Sequence, residues 1–204
     1  LYFYREEFMK IIKNPFHKLS FLLIIGTIPA VVIGLAFKDY FEEISKTGVT
    51  IGWEFLITGA FLWFADSIRK GAKRMDDINW KDALFIGSFQ AAAIFPAISR
   101  SGLTIAAGLF RGLDRETAAY FSFLLSTPAI AGAVALQTVE VAQVGREDIG
   151  LTSLMIAILA SCIFGYIAVK WMINYLKKHS LKSFAIYVWA LGLLVLGLQY
   201  LGLF

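Results

Sequence analysis

The sequence predicts an all-α polytopic membrane protein, with five transmembrane helices plus one re-entrant helical hairpin forming part of an inverted-repeat architecture in a single integral membrane domain, residues 1–204. Three observations carry that expectation. The 204 residues are 58% hydrophobic, 15% aromatic and only 17% charged, and a mean hydropathy of +0.70 is too apolar for a soluble domain of this size. Apolar stretches long enough to cross roughly 30 Å of hydrocarbon recur along the chain. The basic residues behind a net charge of +4 gather at the ends of those stretches, which suits loops against an anionic cytoplasmic leaflet. No basic stripe is interleaved with aromatics, so nucleic acid is not an expected partner.

Taken in order, Leu1–Lys18 lacks the apolar core and cleavage site of a signal peptide and reads as a juxtamembrane segment of a chain that starts mid-protein. Leu19–Phe37 is the first expected span, where Gly26, Pro29 and Gly34 suit a kink and close packing as well as ordinary membrane-helix composition. Lys38–Thr50 reads as a mixed-charge loop. Ile51–Ile68 is the second span, with Glu54 and Asp66 near its ends and therefore expected at the interface. Arg69–Lys81 is the most basic connection and is expected to be cytoplasmic. Asp82–Phe95 begins as a helix, with Asn79 as N-cap and Asp82 against the positive end of the dipole, but its apolar run stops at Pro96, too short to span.

Thr104–Leu113 is a second short helical run ending in Arg111, Gly112, Asp114 and Arg115. The two short runs form a hairpin, about 82–113, that enters and leaves on the cytoplasmic side. Thr117–Val139, Leu151–Tyr175 and Ser183–Phe204 complete the spans. Between them lie an acidic loop, Val139–Gly150, holding Glu140, Glu147 and Asp148, and a basic one holding Lys177, Lys178 and Lys182. Basic loops fall inside and acidic or mixed loops outside only if the hairpin does not cross. Cys162, alone in an apolar span, excludes a disulfide within the chain and reads as a small core hydrophobe. His17 and His179 fall in loops and read as solvated.

The functional stretch is Phe95–Gly112, a polar, helix-breaking interruption between apolar runs. Pro96 removes a backbone donor and biases Phe95 away from helix. Non-helical backbone beside an arginine at membrane depth is tolerated where it lines a cavity, which makes it a site by default. A helix starting after such a turn offers free amides and a positive dipole end. Arg100 adds a planar guanidinium able to grip two phosphate oxygens, and Ser99, Ser101 and Thr104 add uncharged donors. The pattern points to phosphate or diphosphate. The plainer alternatives are serines that merely cap a helix, with Arg100 snorkelling to lipid head groups, and a short surface loop. The hairpin holds no ionisable base, Gln90 being neutral, and Asp114, Arg115 and Glu116 read as an interfacial cap.

At these residues the chain resembles the bacterial undecaprenyl-diphosphate phosphatases, the bacitracin-resistance family. Pro96-Ala97-Ile98-Ser99-Arg100-Ser101-Gly102-Leu103-Thr104 is similar to that family's P-G-x-S-R-S-G-x-T box, with Ala97 where glycine is usual. The likeness continues through Gly112, Leu113, Arg115, Ala118, Ala119, the Phe121–Leu125 FSFLL run and Pro128, and upstream at Gln90 and Thr27–Leu35. The resemblance implies a multi-pass enzyme of the bacterial plasma (inner) membrane, built of inverted repeats whose re-entrant elbows meet near mid-membrane. It would hydrolyse undecaprenyl diphosphate to the monophosphate, recycling the carrier lipid for peptidoglycan synthesis and conferring bacitracin resistance.

The roles implied are Arg100 and Ser99 as catalytic groups and Ser101, Gly102, Thr104 and Gln90 as substrate-binding ones. The implied cofactor is a divalent cation, Mg²⁺ or Ca²⁺. The family's earlier motif, two glutamates four apart followed by P-x-S-S-S-G-H, matches no part of this chain, so the cation's ligands and an N-terminal segment are expected to precede Leu1. Without them the chain is expected to bind substrate weakly and not turn over. Two other readings stand beside this one: a polyprenyl-phosphate transporter or flippase using the same anion-binding elbow, and a non-catalytic membrane scaffold. Membrane lipids are expected partners, and homo-oligomer formation is left open.

Overall fold

The structure, a computed structural model, describes residues 5–68, 71–144 and 150–203. Among these residues the regular elements are helices: α1 (Arg5–Lys13), α2 (Lys18–Ala36), α3 (Lys38–Thr47), α4 (Ile51–Ser67), α5 (Trp80–Ala92), α6 (Arg100–Phe110), α7 (Arg115–Val144), α8 (Leu151–Lys178) and α9 (Lys182–Tyr200). Four of them, α2, α7, α8 and α9, are long and apolar enough to cross a membrane. At 17 residues α4 is about 25 Å long. The expected Lys38–Thr50 loop is instead mostly helix. Its charges hide an amphipathic face, Tyr40, Phe41 and Ile44 recurring at helical spacing, and Gly48 at φ +66° ends it. Residues 1–4, Arg69, Lys70, Arg146, Glu147 and Asp148 lie outside the described residues, as does the tip of the expected acidic loop. Helix α7 runs on past Val139 to Val144.

The fold is organised around α6, whose residues Gly102 to Leu109 are all buried. A helix apolar on every side belongs in an interior, and here α4, α5 and α7 surround it. Phe61 of α4, Phe89 of α5 and Phe110 of α6 meet as an aromatic cluster with ring centroids 5.4 to 6.4 Å apart, clamping the hairpin to α4. In lipid, helices gain little by hiding apolar surface from one another, so small residues set the contacts. A Cβ at Gly87 of α5 would overlap the carbonyl of Gly26 on α2. By contrast, residues 152–159 and 161–168 of α8 are exposed, and Cys162 lies on that outward face rather than in a core.

The two outer ends of α5 and α6 are tied together. The Lys73 amide donates to the Gly112 carbonyl at 3.0 Å, and the Asp114 amide donates to the Lys73 carbonyl at 3.1 Å. Gly112, at φ +81°, makes the left-handed turn that this return requires. Asn79 caps α5 as expected, accepting from the Asp82 amide while Asp82 accepts from the Asn79 amide. The fully buried Asp82 carboxylate also takes Arg111 at 2.7 Å and Lys73 at 3.2 Å. Burial alone would raise its pKa; Arg111, the Asn79 amide and Lys73 outweigh that and hold it below the ordinary value. The Asp66 side chain, at the other end of α4 from Glu54, is 2% exposed and paired with Arg115 at 2.6 Å, and it accepts the Ser180 hydroxyl.

Candidate functional site

Helix α5 stops at Ala92, four residues before Pro96, and α6 starts at Arg100 rather than at Thr104. Ser99 explains the earlier start, because its hydroxyl accepts from the Gly102 amide at 3.1 Å and caps the helix. The turn between the two helices uses no left-handed non-glycine residue among those described, so alanine at 97 is accommodated without strain. Beyond the cap, the amides of Arg100 and Ser101 have no intrahelical acceptor and sit at the positive end of the α6 dipole.

The elbow is held from α4. Glu54, 4% exposed, accepts the Ala97 amide on Oε2 at 2.7 Å and the Thr50 hydroxyl on Oε1 at 2.6 Å. One helical turn on, the buried Thr58 hydroxyl accepts the Ser99 amide at 3.3 Å. Glu54 is therefore committed to the elbow rather than free at the end of its helix. Phe95 of the elbow meets Phe41 of α3 edge-on at 5.0 Å, so the helix hidden in the mixed-charge stretch covers the same turn.

A cleft of about 480 Å³ opens between the elbow and α7. Arg100, Ser101, Thr104, Ser122 and Ser126 line it with polar groups, and Phe95, Phe123 and Ile130 supply apolar wall. Arg100 is half-buried, and among the described residues no carboxylate pairs with it. An unneutralised guanidinium beside free helix amides makes an anion site. The Thr104 hydroxyl, buried, lies 2.8 Å from the Arg100 carbonyl oxygen and 2.6 Å from the Ser122 hydroxyl.

Of the residues singled out from sequence, the structure brings Arg100, Ser101 and Thr104 to one cleft. Ser99 and Gly102 stand behind it as cap and capped amide, and Gln90, 1% exposed, is buried in α5 away from the cleft lining, its amide group without a hydrogen-bond partner among the described residues. Glu54, Thr58, Ser122 and Ser126 were not singled out as parts of a site. The signal for the first two was their i, i+4 spacing on an otherwise apolar helix, which puts both on one face. His17 caps α2, accepting from the Leu19 amide, and His179 stacks on Tyr175 at 4.5 Å. Among the described residues no three His, Cys, Asp or Glu side chains come together as metal ligands.

Comparison with known proteins identifies the family. A profile of the bacitracin resistance protein BacA family matches residues 1–194. Undecaprenyl-diphosphatase 4 of Bacillus cereus is 67% identical over 202 residues, covering 99% of this chain and 78% of that protein. An undecaprenyl-diphosphatase of Carboxydothermus hydrogenoformans is 46% identical over 206 residues, covering 100% and 79%. One of Methanothermobacter thermautotrophicus is 41% identical over 178 residues, covering 86% and 97%. With an arginine-bearing elbow at its centre and a family match over nearly its whole length, the chain belongs to the bacitracin resistance protein BacA family.

Proposed function

We propose that this chain is an undecaprenyl-diphosphate phosphatase, which hydrolyses undecaprenyl diphosphate to undecaprenyl phosphate and phosphate in the bacterial plasma membrane. That activity returns the carrier lipid to peptidoglycan synthesis and confers resistance to bacitracin. The observation that carries the reading is Arg100 at the start of α6, with no carboxylate partner among the described residues, in a cleft that Phe95, Phe123 and Ile130 also line with apolar wall. Such a cleft suits an amphiphile with a phosphorylated head and a lipid tail. In this reading Arg100 grips two oxygens of the transferred phosphoryl group and offsets the charge that builds there, while the α6 amides and Ser101 orient it. Ser99 caps Gly102 through its lone pair and keeps its proton for the head group; Thr104 contributes from the cleft wall, and Gln90, buried away from the cleft lining, supports the hairpin behind the head group.

The same proposal takes α4 as a fifth span and α5–α6 as a re-entrant hairpin in one membrane domain. It is supported by the tie between Lys73, Asp82, Arg111 and Gly112, which keeps the hairpin's entry and exit at one level. The described residues do not themselves fit a divalent cation, since Glu54 already serves the Ala97 amide and the Thr50 hydroxyl. The proposal for Mg²⁺ or Ca²⁺ therefore places its carboxylate ligands outside these residues. Loss of phosphate release on chelation with EDTA, restored by either ion, is its check.

The deciding experiment is phosphate release from undecaprenyl diphosphate by the full-length protein in nanodiscs with Mg²⁺ present. Wild type should release phosphate, and Arg100→Ala should lose about 10²–10³-fold in rate, as expected for a group that stabilises developing charge. Near-normal hydrolysis by Arg100→Ala would remove the catalytic assignment. Movement of polyprenyl phosphate across vesicles without hydrolysis by wild type would favour a transporter instead.

A further inference from the structure

Thr104 and Ser122 raise a question of proton supply. The Thr104 oxygen lies 2.8 Å from the Arg100 carbonyl and 3.3 Å from the Ser101 carbonyl, and carbonyls only accept, so the single Thr104 proton is directed at them. The 2.6 Å contact between the two hydroxyls must then be carried by the Ser122 proton. In that resting arrangement the Thr104 proton is committed to the Arg100 carbonyl and the Ser122 proton to the Thr104 oxygen. Ser122 turns only lone pairs to the cleft, which is unfavourable for an anion.

The pair has one alternative. If Thr104 swings its proton from the Arg100 carbonyl to the Ser122 oxygen, the Ser122 proton is released to an incoming phosphate oxygen. The Arg100 carbonyl then still accepts the Thr104 backbone amide of the helix ladder, so little is lost. Both residues are almost fully buried, Thr104 at 1% and Ser122 at 2% exposed, and both lie in the cleft wall, so the pair is held by packing on every side but that one.

We infer that Ser122, on α7, is the hydroxyl that touches the phosphorylated head group, and that Thr104 is a positioning residue that switches the Ser122 proton between the pair and the ligand. This rests on the proposed phosphate elbow. It makes the cleft two-sided, with Arg100 on α6 facing a donor on α7.

The test is a double-mutant cycle on undecaprenyl diphosphate hydrolysis in nanodiscs, with thermal unfolding of each variant as a folding control. Ser122→Ala should lower kcat/KM by about 10- to 100-fold, the loss of a hydrogen bond to a charged group. Ser122→Cys, which keeps the volume and offers a weaker donor, should fall between. Thr104→Val should lower kcat/KM by a smaller factor, and the double variant should be no worse than Ser122→Ala, because Thr104 acts only through Ser122. Losses that multiply would show two independent contacts and overturn the inference, as would a Ser122→Ala variant within twofold of wild type. Arg100→Ala run alongside separates the two ideas. If it is inactive while Ser122→Ala is normal, only the Ser122 role falls; if it is itself active, the elbow reading falls too.

Discussion

Removing the carboxylate beneath the elbow is the sharpest perturbation the fold offers. Glu54→Ala leaves the Ala97 amide and the Thr50 hydroxyl without the oxygens that now take them at 2.7 and 2.6 Å. A hydrogen bond to a charged acceptor contributes about 1.5–3 kcal/mol, and Ala97 is separated from Arg100 by only two residues. If that loss falls on the alignment of Arg100, kcat/KM drops roughly 10- to 100-fold, since about 1.4 kcal/mol is a factor of ten. Glu54→Gln keeps a carbonyl oxygen for the Ala97 amide and presents an amide nitrogen to the Thr50 oxygen, so it should remain within about threefold of wild type. Phosphate release from undecaprenyl diphosphate, measured beside thermal unfolding, checks both. A Glu54→Gln variant as impaired as Glu54→Ala would show that charge, not the acceptor, is what matters. Full activity in Glu54→Ala would refute the idea that α4 holds the elbow in register.

Three further outcomes follow from other contacts. Gly87→Ala drives a methyl into the Gly26 carbonyl on α2 and should destabilise by about 1–3 kcal/mol, read as a lowered unfolding temperature; an unchanged temperature would mean that α2 and α5 separate freely. Asp82→Asn should cost about 1–2 kcal/mol, a modest figure because Lys73 and Arg111 are 37% and 35% exposed. Because the folded Asp82 pKa is depressed, its stabilisation is fully present above the unfolded value near 4 and is lost as pH falls through the folded one. The gap between wild type and Asp82→Asn should thus be flat from about pH 5 to 8 and close below about 4, and a gap independent of pH would contradict the assignment. Single cysteines at positions 73 and 150, in a Cys162→Ser background, should label from opposite sides of sealed vesicles; same-side labelling would refute the non-crossing hairpin.

The parts of this fold that local chemistry dictates were readable in advance. Asn79 and Asp82 announce the start of α5, Pro96 announces the break, and the arginine, serine and threonine that follow it reach one cleft. What escaped is what depends on neighbours distant in sequence. Glu54 reads as a residue at a helix end, and only packing of α4 against α6 turns it into the support of a turn 43 residues away. Ser122 reads as part of an apolar FSFLL run, and its role appears only when α7 lies along α6. The charges of Lys38, Asp39, Glu43 and Lys46 conceal that α3 is a helix at all, since its apolar face is only three residues wide. Cys162 shows the converse: an apolar surrounding sequence suggested a core position, but in a membrane the outward face of a helix is just as apolar.

The position of the brace along α4 has a directional consequence. Glu54 stands three residues into that helix and thirteen before its end, about 5 Å from one tip and about 20 Å from the other at 1.5 Å per residue. The far tip leads into the lysine- and arginine-rich connection, where Lys73 and Arg111 close over Asp82. If α4 spans the membrane as proposed, a phosphate seated at Arg100 would lie nearer the Thr50 end of that helix than the Ser67 end. Under that topology the lipid head and the freed phosphate would both pass through the compartment on the Thr50 side, opposite the basic connection.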